Sequence, residues 1–401
     1  MISVDEAEGI VLSRARDFGS ETVDLKLAAG RVLAEDICAD RELPPYDRVT
    51  MDGYAIKYAD FANGQRTFRI QAVQAAGDPP RKLAPFSCIQ VMTGAALPGV
   101  ADTVIPVEET GIGEGGIKVL ADKANKGQYL HFKGSDTGRG SILVPAGQAL
   151  TAAAVSLAAS SGYAAVAVCK LPKAVVVTTG DELVDVREKP ADYQIRRSNN
   201  YAVKAAMGSY SAAVDMLHMA DDVKAMSRLL GRCLKQYDVI IISGGVSKGS
   251  FDYVPDVLAS LSVDTLFHGV RQKPGKPFLF GVHPDGSVVF ACPGNPVSTM
   301  LCVYAYVLPW LRACSGAAPL PEHYAVLGQD IVSPKEDFSL FVQVKLRSTR
   351  AGVLYAAPIA NNGSGDFLSL LQADAFLELP PGKRRFKKGE AYKTIALQTI
   401  L

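Results

Sequence analysis

Between Lys173 and Leu311, apolar runs of strand length alternate with stretches of helix length, and few folds accommodate that alternation. KAVVVTTG, AAVDMLHMA, YDVIIISGG and SVVFACPGNP read as strands. SNNYAVKAAMGSY, VKAMSRLLGRCLKQ and VSTMLCVYAYVLPWL, which lie between or after them, read as helices. Strands alternating with helices imply a parallel α/β sheet covered on both faces.

The flanks have a different texture. From Thr67 to about Lys133 the runs FRIQAV, CIQVMTG, TVIPVEE and GIKVLA are separated by Gly, Pro and Asn clusters, as in a small mostly-β lobe. Past Ala318-Pro319, the alternating segments YAVLGQDIV, LFVQVKL, VLYAAPIA and AFLELP predict a compact C-terminal β barrel or sandwich. Residues 4–17 carry helical spacing, Leu25–Ala39 reads as a strand or short helix, and Pro44-Pro45-Tyr46-Asp47 marks a boundary turn. Residues 151–169 lack charge and approach the length of a membrane span. They are rich in Ala and Ser and broken at Ser161-Gly162, so they are read as a buried helix leading into a strand. The resulting division is a discontinuous connector of residues 1–43 with 138–170, a mostly-β lobe of 44–137, an α/β domain of 171–318 and a C-terminal β barrel of 319–401.

Composition narrows the chemistry. Lys+Arg 42 against Asp+Glu 41 leaves a formal charge of +1, so no bulk electrostatic case exists for nucleic acid or membrane partners. The 7 cysteines (38, 88, 169, 233, 292, 302, 314) form no CxxC pair, and the 5 histidines form no HExxH or HxH. A zinc cage, a disulfide framework and a histidine-bound transition metal are therefore not expected. The start, MISVDEAEGIVLSRA, has no basic region before an apolar run, which argues against a secretion signal and for the cytoplasm.

In an open parallel sheet ligands bind beyond the carboxyl ends of the strands. Four candidate strand ends carry unusual loops: Gly180-Asp181-Glu182; Ser243-Gly244-Gly245-Val246-Ser247, with a helix start expected near Asp252; His268 to Pro277, holding Lys273-Pro274-Gly275-Lys276-Pro277; and Pro293-Gly294-Asn295-Pro296. Paired glycines let backbone amides approach a phosphate, and a following helix N-terminus adds partial positive charge. Asn295 before Pro296 suits an N-cap with proline in the first turn. Two lysines held in a proline-braced turn repel unless an anion sits between them. Each loop alone could be an ordinary turn; four on one edge describe an anion pocket for a phosphorylated ligand. Asp181, Glu182, Asp221, Asp222 and Asp252 are interleaved with it, and carboxylates near phosphates call for a bridging, oxygen-bound Mg²⁺. Capping roles for Asp221 and Asp252 remain the competing reading.

Thr50-Met51-Asp52-Gly53-Tyr54-Ala55 resembles the MDGYA motif of the molybdopterin molybdenumtransferase family (MoeA and the gephyrin E domain). The likeness continues in order through Val91-Met92-Thr93-Gly94-Ala95, Gly134-Ser135-Asp136, Thr179-Gly180-Asp181-Glu182-Leu183 and Ser198-Asn199. It then takes in the SGGVS loop with Phe251-Asp252-Tyr253, KPGKP and PGNPVS. It spans nearly the whole chain.

The resemblance implies a multidomain α/β-plus-β fold. Its parts would be a molybdopterin adenylyltransferase-like α/β domain, a mostly-β lobe, a connector domain and a C-terminal β barrel, assembled as an elongated homodimer. The active site would be shared between the α/β domain and the partner's lobe. It implies Mg²⁺-assisted insertion of molybdate, the co-substrate, into adenylyl-molybdopterin with release of AMP. Asp52, Thr93, Asp136, Glu182 and Asp252 would then be catalytic, with Glu182 and Asp252 holding the metal. Lys273, Lys276 and Ser298 would cradle molybdate. Substrate contacts would extend over Gly180, Asp181, Ser198, Asn199, Asp221, Ser243, Gly244, Gly245, Ser247, Gly275, Pro293, Gly294, Asn295 and Pro296.

There are departures. Arg196-Arg197 stands where many relatives have Tyr-Asp or Arg-Asp, Ser135 where many have Glu, and Gln343 where many have an arginine for which Arg347 or Arg350 could substitute. The Gly363-Ser364-Gly365 turn fits the family pattern. Two other functions stay open at this point. One is molybdopterin adenylyltransferase, itself also a candidate partner, and the other is a gephyrin-like non-catalytic scaffold.

Overall fold

A computed structural model describes residues 1–113, 115–208, 214–247 and 252–397, so Phe251 lies outside the described residues. The chain forms two compact units: Met1–Ala34, Gly147–Leu150 and Val166–Leu401 in the first, Glu35–Ala146 and Thr151–Ala165 in the second.

At the centre of the first unit is a six-stranded sheet of β1 (Ala174–Thr179), β2 (Val214–Met219), β3 (Val239–Ser243), β4 (Asp264–His268), β5 (Leu279–Val282) and β6 (Val288–Cys292), in spatial order 2-1-3-6-5-4. Strands β2, β1, β3 and β6 are mutually parallel. The sheet is not parallel throughout, because β5 runs antiparallel to both β6 and β4. The sequence reading missed that hairpin: LFGV is too short, and too interrupted by Gly281, to register as a strand. Strand β4 nevertheless points the same way as β6. The loop after His268 therefore emerges at the edge where β1, β3 and β6 end.

Side-chain alternation explains why the sheet is covered on both faces. Val176, Ile241 and Phe290 face one way, onto a core shared with α1 (Val4–Leu12), α2 (Asn199–Met207) and α5 (Pro296–Cys302). Val175, Val177, Ile240, Ile242 and Val289 face the other way, against α3 (Val223–Gln236) and α4 (Val254–Ser260). With both faces buried, these strands have no polar alternation to show. Helix α1 begins at a full capping box, Ser3 accepting from the Glu6 amide at 3.1 Å while Glu6 accepts from the Ser3 amide at 2.7 Å.

Past α5 the helix continues through a π-helical turn, Val303–Val307, into Leu308–Cys314. Among the described residues Pro296–Cys314 is the one helix long and apolar enough to cross a membrane, and 61% of that window is buried inside the protein. Trp310 and Tyr306 within it are core residues.

The C-terminal segment is a closed barrel of five strands, Ser339–Ser348, Leu354–Pro358, His323–Leu327, Ala391–Ala396 and Ala375–Leu379, the last pairing back onto the first. Gln272–Lys273 adds to it in parallel, Gln272 opposite Ser339 and Lys273 opposite Leu340.

The second unit holds a six-stranded sheet ordered Thr103–Pro106, Gly53–Ile56, Ser87–Val91, Thr67–Gln74, Gly116–Val119 and Thr110–Gly113. The expected helix near residue 151 is present as Ala152–Ser160, but only Ala154 and Ala158 in it are buried. Alanine contributes little apolar area, so an uncharged stretch of it does not require burial.

Candidate functional site

Order 2-1-3 means that the chain leaves β1 in one direction to form β2 and returns on its other side to form β3. The crevice beyond β1 and β3 is thus a topological switch point, where open α/β sheets bind ligands. A cleft of about 650 Å³ lies there. Its lining includes Gly180, Glu182, Gly244, Gly245, Ser247, Asp252, Lys273, Gly275, Lys276, Pro293, Gly294 and Asn295, gathered from all four strand-end loops and the approach to α4, with Asp221 from the loop after β2 and Ser298 from the first turn of α5.

The loops are held by one another. The Thr179 hydroxyl, at the end of β1, donates to the Asp221 carboxylate, and the Asp221 amide donates to Asp181 at 3.1 Å. Asp181 therefore supports the cleft without lining it. Asp222, rather than Asp221, caps α3 by accepting from the Ala225 amide at 2.7 Å. Gly244 has φ 109°, and a methyl group there would fall 2.8 Å from the Thr179 carbonyl oxygen. Only glycine lets the two strand ends approach so closely. Ser247 donates to Asp252 at 2.5 Å. Helix α4 begins beyond Asp252, with Tyr253 as its N-cap, so Asp252 is not that cap.

Asn199 is placed as a half-buried tie. Its side-chain amide donates to the Gly294 carbonyl at 2.7 Å and Ser243 Oγ at 2.9 Å, with Thr299 Oγ1 at 3.3 Å. Thr299 in turn donates to the Pro293 carbonyl at 2.6 Å. Ser198, Asn199, Ser243 and Pro296 are not among the residues that line the cleft. Thr299, unnamed by sequence reasoning, closes this belt. Its signal would have been a hydroxyl one helical turn after an Asn-Pro helix start.

Lys273 and Lys276 are exposed side chains on a buried turn, Gly275 being buried between them. Leu340, Phe341, Val342, Gln343, Asn361, Gly363 and Ser364 of the barrel also line the cleft; the family resemblance singles out Gln343 and the Gly363-Ser364-Gly365 turn, but the other four were not foreseen. Asn295 is the N-cap residue of α5 but makes no side-chain capping bond. Its amide instead donates to Ser364 Oγ at 2.8 Å, and the Val297 amide donates to the Ser364 carbonyl at 3.1 Å, which docks the barrel turn on the helix start. Gln343 is buried and bonded to Ser369 at 2.9 Å. Arg347 and Arg350, offered as substitutes for an arginine at 343, are exposed and do not line the cleft. They follow Gln343 toward the end of a long strand and the turn after it, which carries them out of reach. Arg197 pairs with Asp185, and Arg196 Nε donates to the Glu188 carbonyl at 3.0 Å, so both arginines are engaged within their own loop.

In the second unit, Asp52 accepts from the Thr93 amide at 2.6 Å and the Thr93 hydroxyl at 2.7 Å. These donors, the backbone amide first, hold its carboxyl below the ordinary 3.8. Asp136 lies 2.7 Å from His131 Nε2, and His131 Nδ1 lies 3.0 Å from Arg48. A guanidinium can only donate, so Nδ1 accepts and the proton sits on Nε2, directed at Asp136. Sequence reasoning missed both Arg48 and His131.

Among the described residues no group of three or more His, Cys, Asp or Glu side chains could hold a metal ion unaided. Glu182, Asp221 and Asp252 line the cleft separately. That donor set suits Mg²⁺, which is commonly held by one or two carboxylates together with substrate phosphates and water.

Three family profiles match the chain: "MoeA N-terminal region (domain I and II)" over residues 2–162, "Probable molybdopterin binding domain" over 175–313, and "MoeA C-terminal region (domain IV)" over 324–397. The chain is 39% identical to the molybdopterin molybdenumtransferase of Synechocystis over 396 residues, covering 98% of this chain and 99% of that one. It is 30% identical to the molybdopterin molybdenumtransferase of Bacillus subtilis over 410 residues, covering 99% and 94%. Among solved structures, the molybdopterin biosynthesis moeA protein of Pyrococcus horikoshii aligns with a TM-score of 0.82 at 27% identity, covering 98% of this chain and 100% of that one.

Proposed function

The chain belongs to the molybdopterin molybdenumtransferase family, and from that premise we propose that it inserts molybdate into adenylyl-molybdopterin with Mg²⁺ assistance, releasing AMP. It is a transferase of molybdenum cofactor biosynthesis. One observation carries the finer reading: two lysines and the start of α5 meet three carboxylates in a single cleft at the switch point. An anionic ligand with bound Mg²⁺ answers both charge sets at once.

Lys273, Lys276 and Ser298 gather the tetrahedral oxyanion. Gly244, Gly245 and Gly294 let backbone approach the phosphates. Glu182 and Asp252 would hold Mg²⁺ against them, and bound Mg²⁺ neutralises charge on the phosphoanhydride as it breaks. The chain's own contribution is positioning and electrostatic stabilisation: water takes the place of AMP on the phosphoanhydride as AMP leaves, and the two dithiolene sulfurs displace oxygens of molybdate, which depart as water. We extend the proposal to a cytoplasmic homodimer in which Asp52, Thr93 and Asp136 of a second copy complete the site, and to molybdopterin adenylyltransferase as supplier of the substrate.

The test is AMP release from adenylyl-molybdopterin, with molybdate and Mg²⁺ each omitted in turn. Release that needs both is the expected result. Pyrophosphate formed from ATP and molybdopterin would mark an adenylyltransferase instead, and no turnover with intact ligand binding would mark a scaffold.

A further inference from the structure

The side chain of Gln272 is fully buried beneath the turn that carries Lys273 and Lys276, and no part of the reaction requires a neutral amide there. Its Nε2 points at the Gly275 carbonyl, 3.4 Å away, and lies 3.8 Å from Cys302 Sγ. Its Oε1 accepts a hydrogen bond from the Tyr306 hydroxyl. Tyr306 belongs to the π-helical turn Val303–Val307 and stacks on Phe278, the residue that ends this loop, with ring centroids 4.8 Å apart. Single π-turns inside helices recur at functional sites because the extra residue redirects a side chain.

The carbonyls show what this arrangement does. A loop that binds an oxyanion has to turn its own carbonyl oxygens away from the ligand. Here the Gly275 carbonyl accepts from the Phe278 amide at 3.2 Å as well as from Gln272, and the Lys276 carbonyl accepts from the Val270 amide at 2.9 Å. Both are held inward, under the turn. Gly275, at φ 87°, leaves no room for change: a methyl there would fall 2.5 Å from Gln272 Nε2 and 3.2 Å from Cys302 Sγ.

We propose that Tyr306 and Gln272 are positioning residues that lock the lysine turn with its carbonyls inward and its two ammonium groups toward the oxyanion. The Gly275 carbonyl can only accept, so the NH₂ end of the amide faces the loop, and Tyr306 holds the opposite end by donating to Oε1. The inference rests on reading the cleft as a molybdate site, and it names what shapes that site.

Two variants test it. Tyr306→Phe removes one oxygen from a stacked ring, and Gln272→Glu keeps the Tyr306 bond but sets a carboxylate oxygen against the Gly275 carbonyl. Each is compared with wild type for molybdate affinity by equilibrium dialysis, and for hydrogen exchange at the Phe278 and Val270 amides. Thermal melting confirms the fold. Expected are faster exchange at both amides and molybdate affinity weaker by about tenfold, in keeping with the loss of one buried hydrogen bond. In turnover the KM for molybdate rises while kcat stays within a few-fold, which general loosening of the fold would not produce. Unchanged exchange or unchanged affinity in both folded variants overturns the proposal. If wild-type protein itself binds no molybdate, the functional reading fails, and the exchange arm still decides whether Gln272 locks the turn.

Discussion

At the scale of single residues the proposed reading has the cleft work by charge. Among the described residues Lys273 and Lys276 are the cations that line it, and each should matter as a preorganised electrostatic group. Lys276→Ala is expected to lower kcat/KM for molybdate on the order of 100-fold, measured as AMP release at varied molybdate. Lys276→Arg should keep part of that, because the charge remains. Asp52 offers a test with a sign. Its carboxyl is depressed by the Thr93 amide first and the Thr93 hydroxyl second. A depressed carboxylate adds stability above its ordinary value, and that stability is lost as pH falls through the depressed value. Thr93→Val keeps the amide bond and removes the hydroxyl. A carboxyl-carbon NMR titration should therefore find Asp52 shifted part of the way back toward 3.8. Melting curves of the two proteins should converge only in acid below the depressed value.

Asp52 and Thr93 were named only through the family resemblance, whereas the lysines and the turns around them were legible because their signals are local. Gly-Gly after a strand, Asn before Pro, and lysines braced by prolines are all read within a few positions. His131 was not legible, since a lone histidine five residues before an aspartate says nothing until the turn brings them within 2.7 Å.

At the scale of elements, the sequence predicted most strands and helices of the α/β domain but not the antiparallel β4–β5 pair or the π-turn. Hydrophobic runs report burial without direction, and a one-residue helical bulge leaves the apolar period almost unchanged. Asn295 shows the same limit in capping. Its residue type fitted an N-cap, yet its amide is used on Ser364 of the barrel.

The barrel also contains a titrating element of its own. Glu378 is pushed up to about 7, chiefly by burial. A raised carboxyl favours the folded state below the ordinary value of 4.5, and that contribution disappears as pH rises through about 7. Glu378→Gln should consequently leave stability near pH 4 unchanged. Above pH 8 it should stabilise the protein by about 2 kcal/mol, after allowance for partial exposure. Chemical denaturation at the two pH values measures this.

At the scale of the whole molecule, the proposed homodimer makes a prediction that a single-chain site does not. Asp52→Asn and Lys276→Ala are each expected to retain only about a hundredth of wild-type activity alone. If a site takes Asp52 from one copy and Lys276 from the other, a mixed dimer has one doubly altered site and one intact site. An equal random mixture should then recover about a quarter of wild-type activity. Sites built within one copy would recover nothing beyond that residual activity, so mixing the purified variants under subunit exchange decides between them.

The order of strands and helices, the glycine and proline turns and the lysine pair followed from neighbours along the chain, because backbone sterics and side-chain period act over a few residues. Folding alone decided that the barrel wall with Phe341, Gln343 and Ser364 closes the cleft, that Asn199 binds together loops nearly a hundred positions apart, and that Tyr306 lies under the lysines. Contacts of that kind arise from packing between elements, whose geometry depends on every side chain at the interface and is carried by no short stretch of sequence.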